Sequence, residues 1–333
     1  MKRILVLGGT SFIGRHFTQA LLSSREYRIT LFNRGQTNPG LFTDVHYIQG
    51  DRSKPQDLKQ LSTKKWDYVV DFSTYFPEQL KLTLDNIHIQ NTGLYIFIST
   101  CSVYQADSPN LILRNEEAAL KSTQNVDLHK DVTETYGERK VACERILRKS
   151  GLPALIFRPA LVYGSYDPTD RLYYWLYHIK QGGLLMIPDQ GQRFFSVTYV
   201  HDLVATLMHS LEKKPGQNLY NVVSTPMLNI RKIIDAVSPI LNRHSMILNA
   251  PPAFLHMEGV KQWTDMPLWI DGDHCTFNAN RWQQDFKITP TNFEKGLLET
   301  LGYYTEIGWP VPKSGMSPKR RENLLNKLRQ SML

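Results

Sequence analysis

Tyr136 and Lys140 are the residues of this chain whose types and spacing most directly predict chemistry. Residues four apart share one face of a helix, so the ammonium of Lys140 can lie beside the phenol of Tyr136. A neighbouring positive charge favours the phenolate. The spacing therefore predicts a tyrosine pKa that is lowered toward the range of a general acid/base, with Tyr136 as the proton carrier.

The N-terminal segment predicts a binding site for the cofactor that this chemistry needs. From Lys2 to Gly14 it reads Lys-Arg-Ile-Leu-Val-Leu-Gly-Gly-Thr-Ser-Phe-Ile-Gly, which predicts a strand, a glycine-containing turn and a helix start. Such a segment binds a dinucleotide pyrophosphate at the helix N-terminus. Gly8 permits the tight turn, and Gly14 permits close packing of the helix on the sheet. Together with Tyr136, this predicts hydride transfer. The predicted cofactor-binding residues are Gly8, Thr10, Ser11, Phe12, Ile13, Gly14, Arg34, Asp51 and Lys140.

The end of the second predicted strand bears on the choice of dinucleotide. It reads Leu-Phe-Asn-Arg-Gly over residues 31–35 and lacks the acidic residue that accepts a hydrogen bond from the ribose 2′-hydroxyl of NAD. Arg34 can pair with a 2′-phosphate, although it can equally be a solvated loop charge. We therefore expect NADP, with NAD as the alternative. Asp51 is placed either to accept from the adenine amino group or to cap the next helix.

Composition limits the class of protein. With 333 residues, 41% of them hydrophobic and 21% charged, the chain is typical of a globular protein with two domains or one domain and a lobe. No apolar run reaches the roughly 18 residues of a membrane span, and the N-terminal apolar run reads as a buried strand rather than a signal peptide. The cysteines have no metal-site spacing and read as reduced thiols, so we expect a cytoplasmic protein without a metal site.

The net charge of +8 and the isoelectric point of about 9.2 permit binding to polyanions, nucleic acid included. A mildly basic surface without a function fits the same numbers. Basic residues gather in the C-terminal tail, Lys313–Leu333, which has a helix-like pattern.

Short apolar runs alternate with helical patterns in the first half, which is typical of a doubly wound parallel sheet. The predicted strands are Arg3–Leu7, Arg28–Asn33, Val45–Gln49, Tyr68–Asp71, Leu94–Ser99 and Ala154–Arg158, and a further strand, Phe195–Tyr199, is expected to return to the sheet. The predicted helices are Gly14–Ser23, Gln56–Leu61, Gln79–Gln90, Glu134–Lys149, Thr169–Gln181, His201–Lys213, Asn229–Leu241 and Asn292–Tyr303. We predict a Rossmann-type α/β fold. Its NAD(P)-binding domain covers 1–165, with 195–225 returning to it, and a smaller, mainly substrate-binding lobe with the basic tail covers 166–333.

Several motifs, spread over nearly the whole length, resemble those of the extended short-chain dehydrogenases/reductases of the NAD-dependent epimerase/dehydratase kind. They are Gly8–Gly14, Ile98–Tyr104, Tyr136–Lys140, Arg158–Gly164 and Val200–Asp202. The glycine-rich run and Asp167–Arg171 are most similar to the atypical branch that includes chloroplast stem-loop-binding proteins. One departure is Ser11, which stands where the family has the middle glycine of the phosphate loop.

The resemblance implies roles for individual residues. Thr100 orients the substrate, with Ser99 as its substitute; Tyr136 is the general acid/base; Lys140 binds the nicotinamide ribose and lowers the tyrosine pKa. Arg193 lies where relatives contact the diphosphate of a nucleotide sugar, or it lies in a plain surface turn. His201 is expected near the pocket rim, and Asp202 is expected to cap a helix.

Two hypotheses follow. The first is an NAD(P)-dependent oxidoreductase or epimerase acting on a hydroxyl or ketone carbon, of a nucleotide sugar or a related small molecule. A dehydratase is disfavoured because Cys101-Ser102 replaces the acidic pair usual there. The alternative is an RNA-binding or regulatory protein that has kept the fold, which the charge, the tail and Ser11 favour and the intact Thr100, Tyr136 and Lys140 oppose. In relatives the helices matching Gln79–Gln90 and Glu134–Lys149 often form a dimer face, so a homodimer is one expectation. The alternative is a solvated face, because the second helix carries Arg139, Glu144, Arg145 and Arg148.

Overall fold

The structure is a computed structural model that describes residues 1–87, 89–106, 112–130, 133–213 and 215–330. Its strands are β1 Lys2–Leu7, β2 Tyr27–Asn33, β3 His46–Gln49, β4 Trp66–Asp71, β5 Thr92–Ile98, β6 Ala154–Pro159, β7 Leu161–Tyr163, β8 Gly183–Pro188, β9 Phe195–Tyr199, β10 Leu219–Val222, β11 Thr225–Leu228 and β12 Ser245–Ala250. Its helices are α1 Phe12–Ser24, α2 Pro55–Leu58, α3 Pro77–Asn86, α4 Tyr136–Lys149, α5 Arg171–Gln181, α6 Val200–Glu212, α7 Ile230–Leu241, α8 Pro252–Met257, α9 Asn280–Phe286, α10 Phe293–Glu306 and α11 Pro318–Gln330.

A seven-stranded parallel sheet forms the centre of the fold, in the order β10-β6-β5-β4-β1-β2-β3. Ile4 to Leu7 of β1 are at most 1% exposed, because helices cover both faces of the sheet, as an all-parallel sheet requires. The chain builds β2 and β3 on one side of β1 and then returns to β4 on the other. Ligands of such sheets bind at the carboxyl ends of the strands beside this reversal. The predicted Rossmann-type fold is confirmed.

Two small sheets and five helices form the C-terminal lobe. The sheets have the orders β11-β9-β7 and β12-β8, and α5, α7, α8, α10 and α11 contribute to the same core. The aromatic helix α5 packs inward: Trp175 is fully buried and its indole N–H donates to the carbonyl of Pro267 at 2.8 Å. The aromatic stripe of this helix therefore serves core packing.

The expectation that the strand Phe195–Tyr199 returns to the central sheet is wrong. The strand Phe195–Tyr199 exists as β9, but it pairs with β7 and β11 and does not join the central sheet. The strand that extends the central sheet is β10, which pairs in parallel with β6. Its short sequence, Leu-Tyr-Asn-Val, contains a buried polar residue, Asn221, and so gives no clear apolar signal. Of the predicted helix Gln79–Gln90, α3 covers Pro77–Asn86, and His88 lies outside the described residues.

The basic C-terminal tail is largely the helix α11, which is docked on the lobe. Leu324, Leu325 and Leu328 are buried. Arg320 pairs with Asp265 at 2.9 Å, and Lys327 pairs with Glu258 at 2.6 Å. These cations therefore have partners within the protein, whereas residues 331–333 of the predicted tail lie outside the described part of the chain. In the described parts, no helix is both long and apolar enough to cross a membrane.

A buried ion pair ties α4 to the sheet. The guanidinium of Arg158 on β6 donates to both carboxylate oxygens of Glu144 on α4, at 2.9 and 2.5 Å, and both residues are at most 2% exposed. Ser99, at the end of β5, donates its hydroxyl to the same carboxylate at 2.6 Å. This pair sets the depth at which α4 lies on the sheet.

Replacing Arg158 by Met should destabilise the protein by about 3–5 kcal/mol, because Glu144 would be left buried without its guanidinium partner. The free energy of unfolding in urea measures this. Arg148→Met is the matched control: Arg148 lies 3.7 Å from the same carboxylate, but its side chain is 49% exposed, so its loss should cost at most about 1 kcal/mol. Equal losses in the two variants would contradict the assigned role of Arg158.

Candidate active site

The start of α4 packs directly on the turn that follows β5. A Cβ atom at Gly137 would clash with the carbonyl oxygen of Ser102 and would lie 2.9 Å from the Lys121 side chain. Only glycine permits this approach. It brings Tyr136, the first residue of α4, to the carboxyl end of β5, where Thr100 lies.

Thr100 is held by the same turn. Its hydroxyl oxygen accepts from the N–H of Ser102 at 3.1 Å, and its proton points to the Ser102 hydroxyl at 3.2 Å. The hydroxyl thus satisfies a backbone group, and it also acts to lower the pKa of the Tyr136 phenol. Ser99 donates to Glu144, so its hydroxyl is already engaged elsewhere.

Lys140 lies one helical turn beyond Tyr136 and is only 3% exposed. Its ammonium donates to the carbonyl of Ile98 at 2.7 Å and lies 6.0 Å from the ring centre of Tyr136. Burial lowers the pKa of Lys140 below its usual value. The structure therefore brings Thr100, Tyr136 and Lys140 together, as the sequence predicted.

The pKa of Tyr136 differs from the sequence expectation. Burial raises it above the usual value, while the Thr100 hydroxyl and the guanidinium groups of Arg171 and Arg139 act in the opposite direction. The expected lowering by Lys140 is not found, because the phenol is desolvated and the ammonium is turned to the Ile98 carbonyl. The influence of Arg171 on the phenol could not be predicted from the sequence, because Arg171 begins α5, which is distant from Tyr136 in the chain.

The turn after β1 has the shape expected of a phosphate-binding turn. Gly8 and Gly9 have φ of 106° and 98°, and a Cβ at Gly14 would lie 2.7 Å from the N of Gly9. Ser11 has extended backbone angles that any residue adopts, so replacing the family glycine causes no strain. Its side chain is exposed and makes no capping hydrogen bond. Thr10 is buried, and Phe12 and Ile13 pack half-buried against the core.

The segment after β2 folds back toward this turn. Asn38 donates from its side-chain amide to the carbonyl of Thr10 at 2.8 Å. Arg34 is exposed. Asn33, at the end of β2, accepts from the N–H of Gly35 at 2.8 Å, but its buried Nδ2 has no hydrogen-bond partner. This orphaned donor, which sequence analysis missed, lies where NAD enzymes have an acidic residue.

Asp51 accepts from the N–H of Ser53 at 2.9 Å. It does not cap the next helix, because α2 begins after Lys54. The neighbouring Arg52 forms a buried ion pair with Asp71 at 2.8 Å, and this pair holds the pKa of the Asp71 carboxyl well below its usual value against the opposing effect of burial. Asp71 also accepts from the N–H groups of Ser73 and Thr74, so it fixes the loop after β4.

The two predicted substrate residues lie apart from each other. Arg193 pairs with Asp189 at 2.9 Å and lines a cleft of about 450 Å³ together with Phe194 and His274. His201 is exposed near the start of α6, and its ring contacts those of His16 and Tyr199.

The predicted capping role of Asp202 is wrong. The helix α6 is capped at Tyr199, and Asp202 lies in its first turn. Its carboxylate accepts from the hydroxyls of Ser224 and Thr291, at 2.5 and 2.6 Å, and thus joins α6 to the lobe.

Cys101 follows Thr100 and is buried, with its thiol 3.2 Å from the carbonyl of Arg158. Burial raises the pKa of this thiol well above its usual value. Reactive chemistry at Cys101 is therefore disfavoured.

The comparisons with known proteins agree with this geometry. The family model described as "NAD dependent epimerase/dehydratase family" matches residues 4–222. The chain belongs to this family. The family and the fold that the motifs predicted are thereby confirmed.

Three similar proteins illustrate its range. Chloroplast stem-loop binding protein of 41 kDa b, from Arabidopsis thaliana, is 27% identical over 66% of this chain, and the match spans only 58% of that relative. N-acetyl-alpha-D-glucosaminyl-diphospho-ditrans,octacis-undecaprenol 4-epimerase, from Escherichia coli O157:H7, is 22% identical over 90% of this chain and 94% of the relative. UDP-glucuronic acid 4-epimerase from Bacillus cereus, solved with UDP-glucuronic acid and NAD, has a TM-score of 0.70 and 19% identity over 92% of this chain and 99% of that chain.

Replacing Gly137 by Ala should destabilise the protein by about 1–3 kcal/mol, because the new methyl group must displace the Ser102 turn. Gly302→Ala is the control, since Gly302 lies within α10 and faces open space; there the change should stabilise by up to about 1 kcal/mol. Urea denaturation of both variants measures the difference. Two variants that are equally stable would show that α4 does not depend on this close approach.

Proposed function

We propose that this protein is an NAD(P)-dependent oxidoreductase or epimerase that acts on a hydroxyl or ketone carbon of a nucleotide sugar or a related small molecule. One observation carries the proposal: the close packing at Gly137 gathers a hydroxyl, a phenol and a buried ammonium at the carboxyl end of β5. This is the side of the sheet on which open α/β folds bind their ligands.

The residues present fit a dinucleotide. The turn at Gly8 and Gly9 is free of side-chain bulk, and the close approach at Gly14 allows α1 to start beside it. The first turn of α1 has no acidic residue and no side-chain cap, so its N–H groups remain available to a pyrophosphate. Asp51 would face the adenine, and Lys140 would face the nicotinamide ribose.

When bound, the nicotinamide supplies the hydride acceptor or donor. Thr100 would hold the substrate oxygen through its hydroxyl. Tyr136 would take the proton of the substrate hydroxyl as the carbinol becomes a ketone, and would return it in the reverse direction. The raised pKa keeps Tyr136 protonated and ready to donate at neutral pH, whereas the positive charges of Arg171 and Arg139 favour the phenolate needed for oxidation.

The Arg193 cleft is the proposed site of the substrate diphosphate. A guanidinium such as that of Arg193 is a preferred charged donor to a diphosphate. The ion pair between Arg193 and Asp189 would have to break for this contact to form. Phe194 and His274 complete the wall of this cleft. The names of the bacterial relatives, which are sugar epimerases, support this substrate class.

Tyr136→Phe should lower kcat by about two to four orders of magnitude, the usual contribution of a positioned acid/base. The substrate is first identified by mass spectrometry of small molecules released from the denatured protein, and turnover is then followed by NMR. Tyr177→Phe, at a half-buried tyrosine of α5, is the control and should retain full activity. Unchanged turnover in Tyr136→Phe would refute the assigned mechanism.

For the cofactor we propose NADP in preference to NAD. The exposed Arg34 can donate to a 2′-phosphate, and residues 31–35 contain no carboxylate that would repel it. The alternative, NAD, is favoured by the presence of NAD in the solved UDP-glucuronic acid 4-epimerase.

Arg34→Ala should weaken NADPH binding by about one to two orders of magnitude, the worth of a charged hydrogen bond, and should leave NADH binding unchanged. Dissociation constants from the nucleotide fluorescence measure both. Arg28→Ala, at an exposed residue near the opposite end of β2, is the control. Equal weakening for the two nucleotides, or none, would favour NAD.

RNA binding is the second candidate, favoured by the name of the plant relative and the net charge. The docking of α11 works against it, because some of the tail cations already have partners. Affinity for an RNA stem-loop that falls steeply with salt and survives Tyr136→Phe would support this candidate.

The proposed homodimer would use α3 and α4, whose exposed residues include Arg145, Arg148 and Lys149.

A further inference from the structure

Three aromatic rings surround the ammonium of Lys140. The ring centres of Phe97, Tyr75 and Tyr136 lie 4.6, 5.6 and 6.0 Å from its Nζ. The protein gives this ammonium one hydrogen bond within the described residues, to the Ile98 carbonyl. Lys140 is thus a buried cation whose surroundings are mostly aromatic, and no carboxylate pairs with it within 4 Å there.

Tyr75 is the outermost of the three rings. Phe97 is fully buried in β5, and Tyr136 is half-buried, whereas Tyr75 is 43% exposed. The rings of Tyr75 and Tyr136 lie 6.3 Å apart, so they are neighbours over the same ammonium. Tyr75 is therefore the most solvent-exposed of the three rings around Lys140.

The backbone that carries Tyr75 is tightly held. The preceding residues donate two N–H groups to the buried carboxylate of Asp71. The N–H of Tyr75 itself points to the side-chain oxygen of Gln79 at 3.3 Å. A loop anchored on both sides keeps the ring in place without burying it.

We propose that Tyr75 is a positioning residue of the acid/base site, whose ring covers Lys140, keeps water from its ammonium and holds it beside Tyr136. This inference rests on the proposed roles of Tyr136 and Lys140. It predicts that the ring of Tyr75 matters and that its hydroxyl does not.

The surroundings of Lys140 determine whether removal of the Tyr75 ring raises or lowers the pKa of Lys140. Burial is the largest influence and lowers the pKa of Lys140; the charges of Cys143, Tyr75 and Asp71 raise it, and Arg52 lowers it. Burial also raises the pKa of the Tyr75 phenol, which disfavours its charged form, so the loss of the hydroxyl matters less than the loss of the ring. Removing the ring admits water, which raises the pKa, and removes a cation–π contact, which lowers it. At 5.6 Å that contact is near the limit of its range. Relief of desolvation therefore dominates, and the pKa of Lys140 should rise.

The test is competitive acetylation with acetic anhydride at several pH values, resolved by peptide mass spectrometry. The midpoint of the Lys140 rate against pH reports its pKa, and the plateau at high pH reports its access to reagent. In Tyr75→Ala the midpoint should rise by about one pH unit, a tenfold change in proton affinity, and the plateau should also rise. The exposed Lys81 serves as the internal reference.

Three further variants complete the design. Tyr75→Phe keeps the ring and should match the unmodified protein, while Tyr75→Leu, which keeps apolar volume, should fall between Phe and Ala. Tyr47→Ala, at a tyrosine of β3 that is 36% exposed, should leave Lys140 unchanged. A Tyr75→Ala protein with the original midpoint and plateau overturns the proposal, and so does a Tyr75→Phe protein that behaves like Tyr75→Ala. The assay measures acetylation of Lys140 and not turnover, with bound small molecules first removed from all variants, so its outcome is separate from the test of turnover.

Discussion

The buried carboxylate of Glu144 joins the parts of the site that come from different elements. It lies one helical turn beyond Lys140 on α4, accepts from Arg158 on β6, and accepts from Ser99 at the end of β5. Ser99 immediately precedes Thr100, so one acidic group sets both the depth of the helix and the position of the turn. A buried pair of this kind adds little net stability, but the loss of one partner is costly. The arrangement therefore favours one register of α4 on the sheet.

A second buried ion pair fixes the position of the loop that follows β4. Asp71 and Arg52 link β4 to the segment after β3, and Asp71 also accepts from Tyr95 at 2.6 Å. The loop that follows Asp71 brings Tyr75 to Lys140. Both buried pairs thus lie behind the site, where each guanidinium is paired with its carboxylate.

Much of the fold could be predicted from the sequence, because β1 to β6 are apolar runs separated by helical patterns and turn residues. The motifs also predicted that Thr100, Tyr136 and Lys140 lie near one another, whereas their catalytic roles stay a prediction. What could not be predicted depends on tertiary environment. The pKa of Tyr136 follows from its desolvation, which no spacing reveals. Asp202 resembles a helix cap in sequence, but its partners Ser224 and Thr291 are distant in the chain. Tyr75 lies in a loop without a motif.

The burial of the three cysteines lowers the reactivity of their thiols. Burial raises the pKa of Cys101 well above its usual value, that of Cys143 to about 12 and that of Cys275 to about 11. Peroxides and electrophiles attack the thiolate form, which is scarce at all three positions. The cysteine adjacent to Thr100 is therefore an unfavourable target for peroxides and electrophiles.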